Sequence, residues 1–159
     1  MTNTSKDLPL RLSEFAPYQL AVVGNRLSHA IAALYEQKYN IQIPEWRILM
    51  TLAEWGQLSA HEVADRTSMD RARVSRAQRR MADLGLISVT IDELDRRKTL
   101  LDLTQKGWEL VESIVPDAER TGDWLLGVLE QQEREYLNVI MKKLMERAEE
   151  LRKRGGILE

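Results

Sequence analysis

Between residues 68 and 85 the chain reads SMDRARVSRAQRRMADLG, and five arginines, at 71, 73, 76, 79 and 80, fall within ten residues. A second basic cluster, Asp95-Arg96-Arg97-Lys98, follows soon after. Guanidinium groups are suited to planar, bidentate hydrogen bonding with phosphates, carboxylates and guanine edges. The whole chain carries a formal charge of −2, yet residues 66–98 hold nine Lys/Arg against five Asp/Glu, a surplus of four, so the remainder carries −6. Charge segregated in this way fits one polyanion-facing region on an acidic, solubilising body. Exposed arginines on a helix also form ordinary solvated faces. The elements that position them have to decide between the two.

Stepping by three and four, Leu20, Val23, Leu27, Ile31 and Leu34 mark one face of a helix over about 16–39. The segment LPLRLSEF before it has no clear period and reads as an N-terminal arm. A second helix over 44–56 opens with Pro44 and closes at Gly56. Ser59 and Glu62 form a capping box that starts a short helix over 59–67, carrying Val63 and Ala64 inward. Ser68 or Asp70 then caps a helix over 70–84, which stops at Gly85 and whose apolar members are Val74, Ala77, Met81 and Leu84.

The period changes to two at Ile87, Val89 and Ile91, and again at Leu101 and Leu103, so two strands flank the charged loop DELDRRK. Thr104 begins a long helix with Trp108, Val111 and Val115 on one face, and Pro116 inside it predicts a kink. A last helix from about Glu130 aligns Leu137, Ile140, Leu144, Ala148 and Leu151. The fold class is therefore mainly α with a small β-hairpin, an α+β arrangement.

A capped short helix, a tight turn, a second helix and a hairpin make a winged helix-turn-helix over 43–103, with the hairpin at 86–103 as its wing. On a wheel of about 100° per residue, Val74, Ala77 and Met81 face inward. Ala72, Arg76 and Arg79 fall on the far side, flanked by Arg73, Ser75 and Arg80. Small side chains at 72 and 75 let the helix approach a groove, where Arg73 and Arg76 can reach base edges and Arg71, Arg79 and Arg80 can meet phosphates. At the wing tip Arg96 or Arg97 could enter a minor groove, with Asp95 holding the neighbouring arginine through an ion pair.

The run Asp95-Arg96-Arg97-Lys98-Thr99-Leu100-Leu101-Asp102-Leu103-Thr104-Gln105-Lys106-Gly107 closely resembles the wing signature of MarR-type regulators. Val74-Ser75-Arg76 and Leu84-Gly85-Leu86-Ile87 likewise resemble that family's recognition helix and its exit. The resemblance implies a homodimer that binds a pseudo-palindromic operator in double-stranded DNA. By it, Arg97 is the minor-groove residue of the wing, Ser75 and Arg76 lie on the reading face, and residues 1–42 and 104–159 form a helical dimerisation region.

Many members of that family respond to small molecules. Tyr18, Asn25, Arg26 and His29 share roughly one helix face, and Trp46 and Arg47 open the next helix. An aromatic wall with a guanidinium suits an aromatic carboxylate or an acyl-CoA thioester. The stretches FAPYQLAVVGNRLSHAIA and IPEWRIL resemble a subgroup linked to hydroxycinnamate or its coenzyme A thioesters. The same residues also fit a plainer arrangement, with Tyr18 and Trp46 in the core and Arg26 and Arg47 ion-paired.

Other classes find less support. The chain has no cysteine, which removes thiol redox sensing and disulfides. With two histidines in all, no metal or cofactor site is expected. No nucleophile–base pair or phosphate loop suggests an enzyme. MTNTSKD lacks the apolar region of a signal peptide and no run is long enough to span a membrane, so a cytoplasmic protein is expected. The alternative from another class is a winged helix whose arginines bind an acidic protein partner.

Overall fold

The computed structural model describes residues 10–156; the MTNTSKD start, the first residues of the arm and residues 157–159 lie outside the described residues. A short 3₁₀ turn at Leu12–Glu14 precedes α1 (Ala16–Tyr39), α2 (Ile43–Trp55), β1 (Leu58–Ser59), α3 (Ala60–Thr67), α4 (Arg71–Asp83), β2 (Ile87–Ile91), β3 (Thr99–Leu103), α5 (Gln105–Leu126) and α6 (Gln131–Lys153). Pro116 lies inside α5, and the helix continues through it. The chain divides into two compact units, one ending at Ala118 and the other beginning at Glu119. No helix among the described residues is long and apolar enough to cross a membrane.

The first unit closes around Ile48, Leu49 and Leu52 of α2, Val63 of α3, Val74 and Met81 of α4, and Leu101 of β3, all at or below 1% exposure. The apolar stripe on α4 is therefore what holds that helix to the body. The sheet has three antiparallel strands in the order β1-β3-β2, so the expected two-stranded hairpin gains a partner: Leu58 pairs with Leu101 and Ser59 with Leu100. Two residues show no alternation, and β1 exists only through this long-range ladder.

Local signals set most helix ends. Ser59 Oγ accepts the Glu62 amide at 3.2 Å, while Glu62 Oε2 accepts the Ser59 amide at 2.9 Å and its hydroxyl at 2.6 Å. The hydroxyl, and then the amide, hold the Glu62 carboxyl below the usual carboxylate range. A depressed folded-state value means this contribution is present at neutral pH and is lost as pH falls through that value. Ser59→Ala is expected to destabilise the fold by ~1 kcal/mol near neutrality. Urea unfolding at two pH values checks this: the difference from wild type should shrink in acid, and a difference that grew there would contradict the assignment.

At the far end of α4, Leu86 N–H bonds to the Met81 carbonyl at 2.9 Å and Gly85 N–H to Ala82 at 2.9 Å. Gly85 takes φ +69°, the left-handed conformation that glycine adopts at least cost in this turn. Thr104 ties this exit to α5. Its hydroxyl donates to the Gly85 carbonyl at 2.7 Å and accepts the Gly107 amide at 3.1 Å, while its own amide bonds to the Leu86 carbonyl at 3.1 Å. One residue thus satisfies the end of one helix and the start of the next.

In the second unit, α6 has no buried residue. Trp124, Val128 and Met145 are 78%, 85% and 72% exposed, and Tyr136, Val139, Ile140, Met141 and Leu144 are exposed beside them in sequence.

Candidate nucleic-acid interface

Ser68 ends α3 in the left-handed conformation, and Asp70, rather than Ser68, caps α4 by accepting the Arg73 amide at 2.7 Å. The turn between the two helices is therefore only a few residues long, as a helix-turn-helix requires. Val74, Ala77 and Met81 are buried, whereas Arg71, Ala72, Arg73, Ser75, Arg76 and Arg79 are exposed. Among the described residues the guanidiniums of Arg76 and Arg79 pair with no carboxylate. Arg73 keeps a loose contact with its own cap, Nε to Asp70 Oδ2 at 3.8 Å, and Arg71 Nη2 stands 3.4 Å from His61 Nδ1.

Arg80 departs from the expected phosphate role. Its Nη1 bonds to Glu45, a carboxylate only 2% exposed, and its Nη2 donates to the Asn40 carbonyl at 3.1 Å and to Asn40 Oδ1 at 3.3 Å. The wheel places Arg80 on the flank of α4 but cannot show that α2 lies against that flank.

The wing tip is built by two aspartates. Asp92 Oδ1 accepts the Leu94 amide at 2.8 Å and lies 3.3 Å from the Asp95 amide. Asp95 Oδ1 accepts the Arg97 amide at 3.1 Å, and its other oxygen is 3.9 Å from Lys98 Nζ. The expected ion pair between Asp95 and a neighbouring arginine is absent among the described residues, because the short aspartate side chain reaches the nearby backbone more easily than a guanidinium pointing outward. Asp95 shapes the turn, and Arg96 and Arg97 are left exposed with no carboxylate partner.

A cleft of about 490 Å³ opens where α1 meets the starts of α2 and α4. Asn25, Ser28 and His29 of α1 line it with Ile43, Pro44 and Arg47 of α2, and Met69 and Arg73 complete the wall. Arg47 Nη2 lies 3.3 Å from Ser28 Oγ. Three of the six anticipated ligand residues, Asn25, His29 and Arg47, come together here. The other three do not. Trp46 stacks on Tyr35 with ring centroids 4.4 Å apart and packs against the core, and Tyr18 and Arg26 are exposed outside the cleft wall. Ser28, Met69 and Arg73 escaped the sequence reading as cleft residues, since one helical face does not reveal what packs opposite it. Among the described residues no group of acidic or histidine side chains could hold a metal ion.

The capped helix pair, the buried stripe of α4 and the hairpin that follows define a winged helix-turn-helix protein. A family model described as MarR family matches residues 39–98. A crystal structure of a MarR/EmrR family transcriptional regulator from Acinetobacter sp. ADP1 superposes with a TM-score of 0.79, at 28% identity, covering 89% of this chain and 99% of that one. BpsR of Bordetella bronchiseptica, whose DNA binding is regulated by 6-hydroxynicotinic acid, gives a TM-score of 0.69 at 28% identity, covering 80% of this chain and 98% of the other. Among curated proteins, the HTH-type transcriptional repressor NicR of Pseudomonas putida is 27% identical over 98 residues. That match spans 62% of this chain and 62% of NicR, so it takes in less than two thirds of the relative's length. Over residues 39–98 the chain matches the MarR family model, and its fold is that of winged-helix transcriptional regulators of that family; the relatives it resembles are regulators.

Proposed function

We propose that this protein is a homodimeric repressor that reads a pseudo-palindromic operator and is released from it by a small aromatic carboxylate. The observation that carries the reading is the set of exposed arginines without carboxylate partners: Arg76 and Arg79 on α4, Arg96 and Arg97 on the wing. Cations left unneutralised on two adjacent projecting elements suit a polyanion with grooves. In this reading α4 is the recognition helix, Arg73, Ser75 and Arg76 address base edges, and Arg71 and Arg79 address phosphates. The wing arginines reach the minor groove or its flanking backbone.

Self-association is supported by apolar side chains left uncovered on each unit, among them Leu20, Val23 and Leu27 on α1 and Val139, Ile140 and Leu144 on α6. A two-fold dimer would set two recognition helices about one turn of DNA apart, roughly 34 Å.

The effector reading rests on the α1–α2–α4 cleft. Arg47 and Arg73 supply guanidiniums for a carboxylate, Ile43, Pro44 and Met69 supply apolar wall, and the dimensions suit a single aromatic ring better than a whole acyl-CoA. The relative BpsR, regulated by a heteroaromatic acid, points to the same class. Arg73 belongs both to the cleft wall and to the reading face, so a bound anion would compete with DNA for it. This reading places the protein in the cytoplasm with its DNA.

Selection from random duplexes, followed by release with a panel of aromatic acids, tests it. Enrichment of two inverted half-sites about one turn apart, with release by at least one ring-bearing acid, is expected. No enriched sequence would remove the operator role, and operator binding indifferent to every acid would remove the effector.

A further inference from the structure

Arg80 differs from the other arginines of α4 in being tied to the body of the protein. Arg80 is one helical turn beyond Arg76 on α4, and the two share the wall of a cleft of about 320 Å³ with Arg73, Ala77 and, from the start of α2, Glu45. Its side chain is 35% exposed and that of Glu45 is 3% exposed. Glu45 Oε2 also accepts the Gln42 amide at 2.9 Å, so one buried oxygen closes the first turn of α2 and receives Arg80. The other guanidinium nitrogen holds both oxygens of Asn40, the residue that ends α1 in the left-handed conformation with φ +54°. A single planar group therefore joins the end of α1, the start of α2 and the last turn of α4.

We infer that Arg80 is a positioning residue: with Glu45 and Asn40 it sets the angle at which α4 presents Arg73 and Arg76, and it contacts no phosphate itself. The inference rests on the operator reading above. Its physical basis is directional. Base-edge hydrogen bonds tolerate little rotation of the helix that offers them, whereas phosphate contacts tolerate more. Val74, Ala77 and Met81 hold α4 down through non-directional contacts, which fix its rotation about the helix axis less sharply than directed bonds do. A fork of directed hydrogen bonds to two other helices resists that rotation. Arg80 is also neutralised by a buried carboxylate, which leaves little net charge to attract a phosphate.

The same full-length chain can be measured on its selected operator and on a scrambled duplex across a series of salt concentrations. Glu45→Gln nearly preserves shape, alters a buried side chain that contacts no DNA in this reading and removes a negative charge, so a purely electrostatic effect would strengthen binding. It is expected instead to weaken operator binding about tenfold, the loss typical of one misread base pair, with the scrambled duplex bound no more weakly than by wild type. Arg80→Met is expected to lose operator preference likewise, while the slope of log K against log[salt] stays at the wild-type value. Arg79→Ala, a phosphate contact in this reading, should reduce that slope by about 0.9.

Should Arg80→Met fail to fold with Glu45 left unpaired, the double variant Glu45→Gln/Arg80→Met leaves neither charge buried and should show the same loss of preference. A slope reduced by Arg80→Met, or operator preference retained in Glu45→Gln and in the double variant, would overturn the inference alone. A wild-type chain with no preferred duplex would overturn the operator reading and the inference with it.

Discussion

Gly107→Ala is expected to lower the unfolding free energy by ~3 kcal/mol or more, the upper range for forcing an extra methyl into a packed site. A Cβ on Gly107 would stand 2.2 Å from the Leu86 carbonyl oxygen and 3.2 Å from Leu103 Cδ2. The first of these is backbone, and it cannot turn aside freely. The Leu86 carbonyl accepts the Thr104 amide at 3.1 Å, and Thr104 in turn holds the Gly85 carbonyl and the Gly107 amide. Relief of the clash would therefore pull apart the joint between the exit of α4, β3 and the first turn of α5. At this chain length a loss of ~3 kcal/mol lowers the melting temperature by roughly 6–12 °C. Thermal melts by circular dichroism read the effect directly, and a variant melting within a degree or two of wild type would show that the backbone yields. Glycine stands at 107 because a side chain there would meet the Leu86 carbonyl and Leu103.

Arg76→Ala and Arg97→Ala are expected each to weaken operator binding by ~1–3 kcal/mol, roughly 5- to 150-fold, while leaving the melting temperature unchanged. Neither guanidinium has a carboxylate partner among the described residues, so removing it strands no buried charge and disturbs no packing. The two losses should differ in kind. Arg76 projects from the middle of α4, and its loss should relax discrimination at one base position of each half-site. Arg97 stands at the wing tip on a backbone pinned by Asp95, and its loss should reduce the preference for a narrow, A·T-rich flank. Fluorescence anisotropy with wild-type and singly altered operators separates the cases. Full affinity in the Arg76→Ala/Arg97→Ala double variant would refute both assignments and return these arginines to an ordinary solvated face.

The Arg80 clamp adds a condition to these readouts. Arg80 and Arg76 are close in sequence and chemically identical, yet Arg80 is held by Glu45 and Arg76 has no carboxylate partner among the described residues. A substitution at either is expected to weaken operator binding. Only the salt slope and the behaviour of Glu45→Gln tell a residue that touches the duplex from one that aims its neighbours.

What could be read from the sequence is what local chemistry decides. The bounds of α1, the Ser59–Glu62 cap, the stop at Gly85 and the inward stripe of Val74, Ala77 and Met81 each depend on side chains within a few residues of one another, and all appear in the structure as expected. The wing signature is legible as a motif, although its Thr104 and Gly107 act on Gly85 and Leu86 at the exit of α4, a contact only the fold supplies. Tertiary structure alone decided the rest. It brought Glu45 to Arg80 across 35 residues of chain and added β1 to the sheet through pairing with Leu100 and Leu101. It also turned Trp46 onto Tyr35 while assembling Asn25, His29 and Arg47 around a shared cleft. Periodicity reports which face of a helix is apolar, but it is blind to which element packs against that face. The division of the five arginines into four exposed side chains and one clamp follows from the position of α2, which no spacing within residues 68–85 encodes.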